Sequence, residues 1–329
     1  MIITTDPSLY WVLAALFGSL TIGSIARVVA LRNADEEKRR KRFASLRTWW
    51  LLTIAVAAGL LAGRLGVCIL LGTASCVGWF ELTKMAGVET KYKHATRAGY
   101  GLIVVNYLLI LSGSISLFAV FLPIGSLIVF AVLLLIQDDP EGYIRASGSL
   151  LWGIMFLGYG VSHAAVLMVF PVESPTPVGQ AGWFLFLVIM TETDDIFQAI
   201  VGRMFGASKR HRIAPVVSPN KTWEGFFGGL LVIVIVAPII APWLTTLGQH
   251  AGPFSLRAPL QPWVGPILAA ILISFAGFFG DINMSAIKRD AGVKDSSKLL
   301  PGMGGAIDRI DSLSMTAPIF VYFVSWWTG

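Results

Sequence analysis

The chain has 329 residues, 55% apolar and only 13% charged, with a formal net charge of +6. Soluble domains carry about 25% charged residues, so the composition excludes a water-soluble enzyme, a disordered chain, a disulfide scaffold and a nucleic-acid-binding module. Together with a mean hydropathy of +0.74, it indicates an all-α, polytopic integral membrane protein of about ten transmembrane helices.

In chain order, spans are predicted at 8–29, 48–63, 65–82, 99–112, 115–136, 148–170, 181–201, 225–247, 263–281 and 313–328. The first lacks a basic leading region, so no cleavable signal peptide is expected. Arg64 interrupts 48–82, which reads as either one tilted helix or a tight hairpin. Cys68 and Cys76 share an apolar run, which argues against a structural disulfide. Ser112-Gly113-Ser114 reads as a hairpin turn. The expected organisation is a group of N-terminal transmembrane helices over 1–147 and a catalytic transmembrane domain over 148–329.

The loops 31–47, 83–98, 137–147, 202–224 and 282–312 hold 22 of the 25 Lys and Arg residues. The others are Arg27, Arg64 and Arg257, and the opposite loop 171–180 has none. Positive charge marks cytoplasmic loops, so both termini are expected outside and loops 202–224 and 282–312 inside. The charged run from Asp35 to Arg42 reads as a juxtamembrane segment that meets anionic headgroups.

Polar residues crowd the inner helix ends at three places. The first is Thr191-Glu192-Thr193-Asp194-Asp195; Glu192 and Asp195 are three apart and share a helix face. Carboxylates beside an apolar run are costly, and such residues serve a site or a cation. The second is Val217-Ser218-Pro219-Asn220-Lys221-Thr222-Trp223-Glu224-Gly225. Ser218 then Pro219 reads as a helix start, with Lys221 and Thr222 donating to an anion from its first turn. Glu224 is placed to orient Lys221 or to bind a cation.

The third place runs from Gly280 to Ser312. Asp281, Ser285 and Lys288 form a stripe at helical spacing. Pro301-Gly302-Met303-Gly304-Gly305 is a loop whose backbone N–H groups approach phosphate closely. Asp308 and Asp311 follow on one helix face, and Asp281 and Asp308 are placed to meet across the two helices. Carboxylates beside phosphate donors suggest Mg²⁺, and the combination indicates phosphoryl or nucleotidyl transfer.

These residues carry a resemblance. Ser285, Lys288-Arg289, Lys294-Asp295, Pro301-Gly302, Gly304-Gly305 and Asp308-Arg309-Ile310-Asp311 resemble the signature of the CDP-diacylglycerol synthase (phosphatidate cytidylyltransferase) family. The upstream Ser218–Gly225 segment is similar to that family's Ser-Pro-Lys-Lys-Thr-Trp-Glu-Gly motif, and Asp195 with Gly202-Arg203-Met204-Phe205-Gly206 fits its preceding helix. The resemblance covers about 190–312. Met303 departs from the family's histidine, and Gln198-Ala199 from its Ala-Tyr.

The resemblance implies transfer of CMP from CTP to phosphatidic acid at a cytoplasm-facing site, and leaves a homodimer open; compactness and the lack of targeting signals point to a bacterial inner membrane. Asp281, Lys288, Lys294, Asp308 and Asp311 are then the expected catalytic residues. Asp281, Asp308 and Asp195 are the expected Mg²⁺ ligands. Ser218, Lys221, Thr222, Glu224, Arg289, Gly302, Gly304, Gly305 and Arg309 are the expected substrate contacts. The competing readings are a nucleotidyltransferase for another lipid phosphate, an ion-coupled transporter and a non-catalytic scaffold. A CDP-alcohol phosphotransferase is disfavoured, because its longer aspartate ladder is missing.

Overall fold

The computed structural model describes residues 7–32, 35–170, 176, 178–206, 211–254 and 259–329. Most of loop 171–180, which has no Lys or Arg, the two basic residues Lys209 and Arg210, and Arg257 lie outside the described residues. The chain is an all-α, multi-pass membrane protein. Its helices are α1 (Pro7–Ala30), α2 (Glu36–Leu61), α3 (Gly63–Met85), α4 (Lys93–Ser112) and α5 (Ile115–Leu135). α6 (Tyr143–Gly153) continues through a π-helical turn, Ile154–Gly160, into α7 (Val161–Val166). α8 (Ala181–Phe205), α9 (Trp223–Leu244), α10 (Gln261–Asp290) and α11 (Ile307–Thr328) complete the set.

Counting α6, the π turn and α7 as one rod, each of the ten predicted spans has its helix. Among the described residues, seven rods are long and apolar enough to cross a membrane. The others, α4, α8 and α11, carry polar residues: α4 has Asn106, α8 the acids at 192–195, and α11 has Asp308 and Asp311. The doubtful 48–82 stretch is a hairpin. Gly63 adopts φ +66° between α2 and α3, which leaves Arg64 exposed at the turn. Gly113 (φ +77°) ends α4 in the left-handed conformation, with the Ser114 N–H closing back on the Leu109 carbonyl at 3.1 Å.

The core is laid down by long-range aromatic packing. The Trp79 ring stacks on Phe130 at 5.9 Å, joining α3 to α5, while its indole N–H donates to the Thr96 carbonyl of α4. Phe186 of α8 stacks on Phe320 of α11 at 5.6 Å. By contrast α1 keeps Trp11 and Ile22 exposed, as a helix facing hydrocarbon does. α9 lies close on α8 because Gly225 and Gly229 recur four apart on its contact face. A side chain at Gly229 would run into Gln198 and Asp194.

Among the described residues, one small sheet interrupts the helices. β1 (Arg212–Ala214) pairs antiparallel with β2 (Ser218–Thr222), with Arg212 opposite Thr222 and Ala214 opposite Ser218. This corrects the expected helix start at Ser218-Pro219. The chain is still extended at Thr222 (φ −126°, ψ 156°), and the cap is Thr222, whose hydroxyl accepts from the Gly225 N–H at 3.1 Å. Ser218 and Pro219 are strand residues, and Lys221 precedes the helix instead of lying in its first turn.

Candidate active site

Four helix ends converge on one side of the bundle: the C-terminal half of α8, the start of α9, the end of α10 and the start of α11. They bring two hydrogen-bonded groups of carboxylates together.

The first group surrounds Lys221, delivered by β2. Its ammonium donates to Asp281 Oδ2 at 2.8 Å and to Gln198 Oε1 at 3.1 Å, and lies 3.9 Å from Asp195 Oδ1. The ring of Phe278 faces it at 5.5 Å. Burial disfavours the ammonium, but Asp281 and Asp195 outweigh that and hold its pKa above the ordinary lysine value. Ser285, one turn along α10, donates to Asp281 at 3.3 Å, so the polar stripe is real. Ser312 of α11 donates to Asp195 Oδ2 at 2.8 Å, while Asp195 Oδ1 is buried with no hydrogen-bond partner. Gln198, one of the departures from the family pattern, also donates to Asp194 at 2.8 Å and so ties that buried acid to Lys221.

The second group surrounds the Gly-rich loop. Lys288 donates to Asp308 Oδ1 at 2.6 Å. Asp308 Oδ2 accepts from the Gly305 N–H at 2.9 Å, from the Ser296 hydroxyl at 3.1 Å and from the Ser296 N–H at 3.3 Å. A residue invisible to motif reading completes this group. Glu81 of α3, 3% exposed, accepts from Ser297 at 2.5 Å and from Ser296, Ala306 N–H and Ile307 N–H at 3.0 Å each. Glycine at 305 is explained by this packing, since a Cβ there would collide with Ser296 and Glu81. Gly304 holds φ +86°, and Gly302 φ +74°.

The remaining predicted residues fall elsewhere or at the margin. Glu224 pairs with His211 instead of Lys221. Arg289 donates to the carbonyls of Val217 and Val293, strapping the end of α10 to the β1–β2 turn. Lys294 is exposed. Ser218 is half-buried in β2, and Thr222 serves the helix cap. Arg309 and Asp311 line a cavity of about 220 Å³ with Glu192, Asp195, Asp308 and Trp49. The Arg309 Nε is buried there without a hydrogen-bond partner. A second, mostly apolar cavity of about 760 Å³ lies between α3 and α4, lined by Ile69, Phe80, Val104 and Leu108, with Glu81 and Ser297 at its polar end.

Asp281 and Asp308, expected to face each other, each face a lysine, Lys221 and Lys288 respectively. Among the described residues no three His, Cys, Asp or Glu side chains are assembled to hold a metal ion. Asp308 already accepts from Lys288, the Gly305 N–H and the Ser296 N–H, and shares the Ser296 hydroxyl with Glu81, so it does not fit as a ligand in this arrangement. Asp195 and Asp281 do fit: they flank one cation already, and Asp195 keeps an unpartnered oxygen. Mg²⁺ needs one or two carboxylates, the rest coming from phosphates and water.

Comparison with known proteins adds a lineage to this geometry. Residues 43–327 match the model of the cytidylyltransferase family. The uncharacterized protein YnbB of Escherichia coli K12 is 36% identical over 312 residues, covering 95% of this chain and 97% of that protein. A phosphatidate cytidylyltransferase of Chlamydia pneumoniae is 32% identical, covering 77% of this chain and 80% of its own length. Another from Haemophilus influenzae is 36% identical over 59% of this chain and 64% of its own.

Proposed function

The chain belongs to the cytidylyltransferase family and is a CTP-dependent nucleotidyltransferase, and on that premise we propose that it transfers CMP from CTP to phosphatidic acid, giving CDP-diacylglycerol and pyrophosphate. The observation that carries the reading is the pairing of Lys221 with Asp281 and Asp195 beside the Lys288–Asp308 pair, all at one end of the bundle. The apolar cavity between α3 and α4 supports a lipid acceptor, because its polar end lies at the Gly-rich loop. The concentration of basic residues in loops 202–224 and 282–312 supports a cytoplasm-facing site, and the similarity to bacterial proteins supports a bacterial inner membrane.

A lipid phosphate oxygen attacks the α-phosphorus of CTP, a new P–O bond forms, and the bond to the β-phosphate oxygen breaks as pyrophosphate leaves. A phosphate monoester dianion is already a competent nucleophile, so the barrier is the approach of two anions. Lys221, Lys288 and Arg309 neutralise phosphate oxygens, with Arg309 contributing a buried N–H that has no protein partner. Asp281 and Asp195 hold Lys221 charged and in place. They are also the residues that would hold Mg²⁺, which when bound supplies positive charge to the triphosphate. Asp311, beside them, would support the same cation. Arg289 and Lys294 act from the rim.

A second reading, another lipid phosphate as acceptor, is favoured by the near full-length similarity to YnbB together with Met303 and Gln198. The test uses purified protein in liposomes with Mg²⁺, phosphatidate and CTP labelled at the α-phosphate. Label should enter the lipid phase and vanish in Asp281→Asn. No labelled lipid from folded, CTP-binding protein would move the assignment to the other acceptor.

A further inference from the structure

We propose that Glu81 is a positioning residue for the transfer: a carboxylate built into the N-terminus of α11 that holds the Gly-rich loop, leaving the nucleotide's phosphates to side-chain cations. The proposal rests on the nucleotidyl-transfer reading above but not on the identity of the lipid.

A helix N-terminus presents N–H groups without intrahelical partners and attracts an anion. Here three donors at the start of the helix are already taken. Ala306 N–H and Ile307 N–H both donate to Glu81, and Gly305 N–H donates to Asp308. The hydroxyls of Ser296 and Ser297 complete four donors on a carboxylate that is 3% exposed. Three of these donors serve Glu81 alone and the fourth, the Ser296 hydroxyl, is shared with Asp308, against the roughly four lone-pair positions a carboxylate offers. An incoming phosphate would have to expel a buried carboxylate bonded to both N–H groups to reach them. The glycine at 305 is accounted for by the same packing, without a phosphate, because any Cβ would strike Glu81 and Ser296.

The hold is relayed. Ser296 lies within hydrogen-bond distance of both Glu81 Oε2 and Asp308 Oδ2, and its single hydroxyl proton serves one at a time. Asp308 in turn receives Lys288. The order Glu81, Ser296, Asp308, Lys288 runs from α3 to a cation at the site, so releasing Glu81 loosens Lys288 without removing any charge from it.

The experiment compares wild type, Glu81→Ala and Glu81→Gln by amide hydrogen exchange over 296–307, by calorimetric CTP binding, and by transfer kinetics. In wild type the Gly305–Ile307 amides should exchange slowly, with or without added CTP or pyrophosphate. Glu81→Ala should speed that exchange by about tenfold or more and lower kcat by about 10²-fold, with CTP affinity unchanged. Glu81→Gln, which keeps one acceptor oxygen and the shape, should recover part of kcat. Tighter binding of CTP or pyrophosphate by Glu81→Ala would overturn the proposal, since Glu81 would then be standing where a phosphate docks. Unchanged kcat or unchanged exchange would overturn it too. If Glu81→Ala does not fold, the double variant Ser296→Ala with Ser297→Ala removes two of the four donors and should reproduce the pattern. Wild type that makes no labelled lipid from phosphatidate would sink the acceptor assignment alone, because exchange and CTP binding still judge Glu81.

Discussion

On the loop side of the site, Glu81 and Asp308 each accept three hydrogen bonds from the protein itself and share a fourth donor, the Ser296 hydroxyl. On the β2 side, Asp281 and Asp195 share one lysine, and an oxygen of Asp195 has no hydrogen-bond partner at all. All four lie within the same small region and are carboxylates, yet they are suited to different work. A saturated carboxylate has no capacity left for a ligand and serves to fix backbone, whereas an under-satisfied buried one is costly unless something else completes it. The acids at Lys221 are therefore the ones matched to substrate and cation, and the acids at the loop are the ones that hold geometry.

The widest separation between the two sides should come from Asp281→Asn. Losing that charge should cut kcat on the order of 10³-fold while the protein still unfolds at nearly its normal temperature; retained turnover would erase the distinction. Asp308→Ala should act first on stability. It leaves Lys288 buried without its partner, at a cost of about 3–5 kcal/mol, which thermal unfolding in detergent would read. Gly305→Ala sharpens the contrast from the backbone side: displacing the loop should lower kcat by about 10²-fold with CTP affinity preserved. The smallest effect belongs to Thr222→Ala, outside both groups. Loss of the α9 cap should cost about 1 kcal/mol and change stability more than turnover.

Much of the architecture was legible because membrane helices announce themselves one at a time. Each of the ten apolar stretches became a rod, and the break at Arg64 became the turn at Gly63. The polar stripe Asp281-Ser285-Lys288 was legible for the same reason, since its spacing lies within one helix. Reading failed where partners come from elsewhere. Ser218-Pro219 has the form of a helix start, but pairing with Arg212–Ala214 keeps the chain extended until Thr222, and a three-residue strand leaves no periodicity to see. Glu224 found His211 for the same reason. Glu81 has no motif around it, and its partners lie more than 200 residues away. Its one advance signal was a lone acid near the end of an apolar span, which by itself marks a functional residue.

The most direct measurement is calorimetric titration of CTP, with and without Mg²⁺, into wild type, Asp281→Asn and Asp308→Asn in detergent. Wild type should bind CTP more tightly with Mg²⁺ present. Asp281→Asn should lose that gain, and Asp308→Asn should keep it. A gain that survives in Asp281→Asn and disappears in Asp308→Asn would contradict the division of labour between the two groups of carboxylates.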